Sequence, residues 1–135
     1  CYVGSICLGS NMFQAIKTLK EAEEHDGPSI VIAYSPCIEQ GIKTGMGCSI
    51  TEEKLAVECG YTMLMRYNPI DELLTIDSKE PNFDKYMDFL NNEVRFNALV
   101  IKNKKYADEV LEEQKQNAIK RYNYYYKMTQ KNEKN

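Results

Sequence analysis

One cysteine sits where chemistry is plausible. In Tyr34-Ser35-Pro36-Cys37-Ile38 the thiol follows a continuous apolar run by a few residues. Pro36 fixes its own φ and pushes Ser35 toward extended conformations, a stiff exit able to aim a side chain away from a sheet. A thiolate so aimed could ligate a metal or act as a nucleophile, whereas a cysteine with no such exposure is a small packing residue. Spacing alone leaves these readings open. The remaining cysteines, Cys1, Cys7, Cys48 and Cys59, include no C-x-x-C, and an odd count of 5 does not suggest a disulfide framework.

Other constellations carry less. Gly41, Gly45 and Gly47 form a glycine-rich stretch that fits neither G-x-x-x-x-G-K-[ST] nor G-x-G-x-x-G, so a surface turn is the better reading than a phosphate cradle. His25 is the only histidine, and its expected place at a helix C-terminus suits the dipole rather than catalysis. Asp71, Glu72, Asp77 and Glu80 surround a turn without a further group to support paired-carboxylate work. Tyr122, Tyr124, Tyr125 and Tyr126 suggest packing against a neighbour more than base stacking. No catalytic residue is assigned.

Elements must position these residues. Residues 2–8 read as a strand. Ser10 or Asn11 caps a helix whose apolar stripe is Met12, Ile16 and Leu19, with Phe13 and Ala15 beside it and Lys17, Glu21 and Glu24 opposite. Asp26-Gly27-Pro28 stops it. Residues 29–34 are apolar throughout, as in a parallel strand covered on both faces. Ser49 and Glu52 have capping-box spacing for a second helix, which ends at Gly60, and residues 61–67 form a third strand closed by Asn68-Pro69. The β-α-β-α-β alternation implies an α/β fold with an open parallel sheet. Beyond Pro81, one or two short helices over 82–100 and a long helix over 104–129 form a helical C-terminal extension, with 130–135 frayed. Residues 1–80 and 81–135 are thus the two expected parts.

The 135 residues are 43% hydrophobic and 27% charged, with net charge −3. That is globular composition. Charge is uneven, acidic over 1–100 and mildly basic over 101–135, which reads as a solvated helix and gives no expectation of nucleic acid. No apolar run suits a membrane span or a signal peptide.

The run Tyr2–Gly9, then EAEEHDGPSIVIAYSPCIEQGI, GMG, KLAVECGY, RYNP, IDSKEP and Asn92-Glu93-Val94-Arg95-Phe96, is similar in order and spacing to the C-terminal part of pyruvate:ferredoxin (flavodoxin) oxidoreductases. The resemblance covers roughly residues 2–120. It implies a piece of a large homodimeric enzyme that oxidatively decarboxylates pyruvate to acetyl-CoA and CO2 with coenzyme A. Electrons would pass through 4Fe–4S clusters to ferredoxin or flavodoxin. It implies the thiamine diphosphate-binding fold, with thiamine diphosphate and Mg²⁺ held mainly by sequence not present here. It makes Cys37 the last ligand of the cluster nearest that cofactor, the other three ligands lying upstream. Such a cluster accepts a remote thiolate. The expected compartment is the cytoplasm or a hydrogenosome-like organelle. The chain departs from the family's pattern in lacking the Gly-Asp-Gly block and C-x-x-C, in having Thr62 where tryptophan is common, and in a short Pro69–Asp77 stretch. Cys7, Cys48 and Cys59 match no ligand position and are read as structural. The alternatives are a sister 2-oxoacid:ferredoxin oxidoreductase and a non-catalytic α/β interaction module.

Overall fold

The computed structural model describes residues 1–132. Strand β1 (Tyr2–Ile6) leads to helix α1 (Met12–Glu24), then β2 (Ser29–Ala33). A 3-10 turn (Met46–Cys48) precedes α2 (Ser49–Glu58), followed by β3 (Met65–Asn68) and β4 (Leu73–Ile76). A second 3-10 turn (Phe83–Lys85) opens α3 (Tyr86–Asn92), α4 (Val94–Lys102) and α5 (Lys104–Asn132). The fold is α/β with a helical C-terminal part. The long helix continues past residue 129, where fraying was expected, and residues 133–135 lie outside the described residues.

The sheet runs β2-β1-β3-β4. β1 and β2 are parallel, Tyr2 opposite Ser29 and Ile6 opposite Ala33. The expected third parallel strand is instead antiparallel: β3 runs against β1, with Met65 opposite Ser5. The reason lies in α2. A parallel return needs a helix laid back across the sheet face, but α2 packs on α3 and meets the sheet's end through Val57, against Cys7 and Leu64. The chain therefore re-enters the sheet where β1 leaves it. β4, unanticipated, completes a hairpin with β3. Its turn is built by Asn68, whose side chain accepts from the Ile70 N–H at 2.9 Å and donates to Asp71 at 2.8 Å, while Glu72 takes φ 51°.

Helix α1 begins as expected, capped by Asn11, whose side chain accepts from the Gln14 N–H at 3.0 Å. The face it buries is turned from the expected one: Ala15 is buried and Lys17 and Glu24 are exposed as read, but the stripe of Met12, Ile16 and Leu19 is not covered. Gln14, Ala15 and Thr18 are buried, and Phe13 is 87% exposed, with Met12, Ile16 and Leu19 also in solvent. A polar network beneath the helix decides this. Gln14 Nε2 donates to Ser5 O at 3.2 Å and Asp77 Oδ2 at 3.0 Å. Arg66 pairs bidentately with Asp77, both bonds 2.8 Å, and reaches the Glu21 carboxylate at 2.7 and 2.9 Å. Tyr2 donates to Glu21 at 2.9 Å. Gly4 lets the helix sit this close, because a Cβ there would overlap Thr18 Cγ2.

β2 was expected to be covered on both faces, yet it is a sheet edge with Ile30 and Ile32 more than half exposed. The capping box also fails to form: Ser49 Oγ turns back to the Met46 carbonyl, and Glu52 is drawn inward. The principal core lies in the helical half, where Ala56, Cys59, Tyr86, Phe89, Leu90, Leu111 and Ala118 pack together. Gly60 (φ 79°) ends α2 there, and a Cβ on it would lie 2.9 Å from Pro81 Cβ and 2.7 Å from the Phe83 ring.

Candidate functional site around Cys37

Cys37 is exposed, and Pro36 before it is buried. The proline is thus a fixed post from which the thiol projects. Upstream, Tyr34 is held by its ring, 5.7 Å from Tyr61 and 6.4 Å from Phe89. Downstream, the Gly41 N–H donates to the Cys37 carbonyl at 2.8 Å and closes a turn. The loop then docks on the α3–α4 junction. Ile42 bridges Glu93 in antiparallel fashion, the Lys43 N–H donates to Asn92 O at 2.7 Å, and the Val94 N–H donates to Gly41 O at 3.3 Å. Ile42 itself is buried, the anchor of an otherwise exposed loop.

Two carboxylates lie below this loop. Glu93 is 1% exposed; Tyr34 Oη donates to it at 3.3 Å, and Arg95 Nε stands 3.3 Å away as an ion pair lacking hydrogen-bond alignment. Glu52 is 2% exposed and accepts from Asn92 Nδ2 at 2.5 Å, while its Oε1 has no partner among the described residues. Burial raises the Glu52 carboxyl above the usual range, opposed by the Asn92 bond and assisted by the charge of Glu93. Burial, then Glu93, likewise pushes the Tyr34 phenol up. So deeply covered, the two acids cannot touch a substrate; they brace the loop. Sequence reading took Glu52 for a cap and gave Glu93 no role of its own. The run Asn92–Phe96 mixes polar and apolar residues and carried no signal that its acid is buried.

The other cysteines separate clearly. Burial, with help from Glu53, pushes the Cys7 thiol up to about 12, and its Sγ donates to Glu53 Oε2 at 3.4 Å. Burial pushes Cys59 up to about 11. Neither supplies a thiolate near neutrality, in keeping with structural roles. Cys48 is exposed rather than packed, its Sγ 3.7 Å from the Thr44 carbonyl. Among the described residues no group of three or more His, Cys, Asp and Glu side chains could hold a metal ion. An exposed thiol on an anchored loop is chemically able to serve as a single ligand of a 4Fe–4S cluster.

A diphosphate site does not fit these residues. In the glycine-rich stretch the Gly45 N–H donates to Ile42 O at 2.8 Å and the Cys48 N–H to Gly45 O at 3.0 Å, so these amides are taken. At the β1–α1 turn the Gly9 N–H is bound by Glu53 Oε2 at 2.6 Å, which leaves a carboxylate where an anion would sit.

The remaining sequence candidates are placed apart. His25 ends α1 with its ring 6.3 Å from that of Tyr2. Asp77 belongs to the Arg66 network and Asp71 to the hairpin turn. Tyr122 and Tyr126 stack at 5.9 Å beside a groove of about 620 Å³ between β4 and α5, whereas Tyr124 is 63% exposed. Among the described residues no helix is long and apolar enough to cross a membrane.

The α/β unit with its helical C-terminal part has relatives named as oxidoreductases, each far longer than this chain. The pyruvate-flavodoxin oxidoreductase of Klebsiella pneumoniae is 39% identical over 92% of this chain and 11% of its own length. The pyruvate:ferredoxin oxidoreductase of Moorella thermoacetica is 44% identical over 73% of the chain and 8% of its own length. The pyruvate dehydrogenase (NADP(+)) of Cryptosporidium parvum is 40% identical over 90% of the chain and 7% of its own length. No family model matches. The chain belongs to the pyruvate-flavodoxin/ferredoxin oxidoreductase family and spans about a tenth of the length of these relatives.

Proposed function

We propose that this chain is the part of a pyruvate:ferredoxin (flavodoxin) oxidoreductase that contributes Cys37 to a 4Fe–4S cluster. The carrying observation is the exposed thiol on a braced loop, in a chain 39% identical to a pyruvate-flavodoxin oxidoreductase. The parent enzyme would convert pyruvate and coenzyme A to acetyl-CoA and CO2, and would work as a homodimer in the cytoplasm or a hydrogenosome-like organelle. When bound, the cluster takes electrons one at a time and thiamine diphosphate supports the carbanion chemistry. This chain's own residues do less and earlier work: they hold one sulfur at a fixed place and direction. Residues 1–80 would belong to the thiamine diphosphate-binding domain and residues 81–135 to its helical extension. The cofactor's diphosphate would be held elsewhere, since the Gly9, Gly41 and Gly45 amides are already bonded within this chain.

A second reading concerns the acceptor. Relatives named for flavodoxin, ferredoxin and NADP(+) match the chain at 39%, 44% and 40% identity. An NADP(+)-linked parent enzyme is therefore supported by the same residues.

The test is the full-length parent polypeptide, reconstituted anaerobically with and without Cys37→Ser. Loss of one cluster, by iron and sulfide content and electron paramagnetic resonance, is expected, together with loss of pyruvate-dependent acceptor reduction. A full set of clusters with undiminished electron transfer refutes the assignment.

A further inference from the structure

The two flanks of Cys37 are fastened to one short segment, residues 92–94. On the upstream side, Tyr34 Oη donates to the Glu93 side chain at 3.3 Å, across 59 positions of sequence. On the downstream side, the backbone of Gly41, Ile42 and Lys43 is bound by Asn92, Glu93 and Val94. Glu93 is where the two meet: its carboxylate accepts from Tyr34, and its backbone lies opposite Ile42 in the bridge whose two hydrogen bonds are made by Asn92 O and the Val94 N–H; it is 1% exposed. Beyond these bonds the downstream limb is held by the buried Ile42 side chain and by Asn92 Nδ2, which donates to Thr44 Oγ1 at 3.4 Å; Gly41 and Gly45 have positive φ, and an added Cβ at either would meet nothing within 4 Å. Without the α3–α4 junction the segment following Cys37 would be a mobile glycine loop.

We propose that Glu93 is a positioning residue for Cys37, the centre of a clamp that fixes where its thiol points. This rests on reading Cys37 as a cluster ligand. A ligand on a loose loop costs ordering entropy at each cluster assembly and lets the iron–sulfur geometry vary, and both are avoided when supporting hydrogen bonds lock the loop beforehand. The clamp also explains why a carboxylate is buried at this spot. The carboxylate gives the covered Tyr34 hydroxyl an acceptor, at the long distance of 3.3 Å.

The experiment uses the full-length parent enzyme carrying Glu93→Ala, Glu93→Gln, Tyr34→Phe or Cys37→Ser. Hydrogen exchange of amides 38–45 is read alongside the spectrum and midpoint potential of each cluster. With Glu93→Ala and Tyr34→Phe, exchange in the loop accelerates about threefold or more, the effect of losing one ordinary hydrogen bond. One cluster, the one lost in Cys37→Ser, shifts its potential, while the others stay unchanged. Glu93→Gln, which can still accept from Tyr34, recovers most of both effects. Loop exchange at the parent rate in both Glu93→Ala and Tyr34→Phe overturns the clamp. Faster loop exchange with every cluster unshifted overturns the positioning role. Should Glu93→Ala fail to fold, Tyr34→Phe decides alone. If Cys37→Ser keeps all its clusters, the ligand reading falls by that measurement, separately from the exchange result, and the positioning role falls with it.

Discussion

Replacing Arg66 by methionine should remove the centre of the polar network under α1 and make the chain's stability respond to acid in the opposite sense. The Arg66 side chain is 13% exposed and Asp77 16%, whereas Glu21 is 32% exposed. Breaking a buried pair from one side costs about 3–5 kcal/mol, while an exposed pair contributes about 0–1. The Asp77 arm therefore dominates, and a loss near 3 kcal/mol is expected at pH 7, a large share of a small domain's stability. In the parent chain, burial raises the Asp77 carboxyl, but the bonds from Arg66 and Gln14 outweigh it and hold it below the usual range; Glu21 is held low in the same way by Arg66 and Tyr2, against its own burial. Groups with depressed values stabilise the fold above their unfolded values, about 4, and that contribution is lost as pH falls through the folded values. In Arg66→Met the burial of Asp77 is no longer outweighed, its carboxyl rises, and acidification from pH 7 toward 4.5 should stabilise the variant and narrow the gap to the parent. Urea unfolding followed by circular dichroism at both pH values measures this. A loss under 1 kcal/mol at pH 7, or a gap that stays constant on acidification, would refute the reasoning. Adding Asp77→Leu to Arg66→Met should restore part of the stability, because the stranded charge is gone.

Two further outcomes follow from the packing. Alkylation at pH 8 should modify Cys37 and Cys48 readily and spare Cys7 and Cys59 until urea unfolds the chain, as read by peptide mass spectrometry. Gly60→Ala should cost about 2 kcal/mol or more in thermal or urea unfolding, because φ 79° is strained for alanine and its Cβ would press on Pro81 and Phe83.

Element positions were legible where periodicity and punctuation agreed. Asn11 starts α1, Gly60 ends α2, and the long terminal helix lies close to its expected span. What could not be read was which way elements face. Met12, Ile16 and Leu19 announce an amphipathic helix, but the pattern is silent on whether the apolar side meets this sheet or something else. Here Gln14 and Thr18 turn inward because Arg66 and Asp77, over 45 positions later, make a polar floor. The direction of β3 was hidden for a similar reason, since it depends on α2 packing on α3 rather than on the sheet. That Cys37 leaves the sheet exposed was legible from Pro36 and the strand before it, whereas its reading as a ligand came from the family resemblance. The support of its loop was not legible, because Glu93 reaches Tyr34 only once the two distant stretches are brought together.

The outward side of α1 has a thermodynamic corollary. Phe13 stays largely wetted and Ile16 and Leu19 about half so; wholly shielded from solvent, Phe13 would contribute about 1.5–3 kcal/mol and each of the others about half as much. Any melting temperature recorded on these 135 residues alone is therefore a floor, and it should climb with the concentration of whatever surface covers that side.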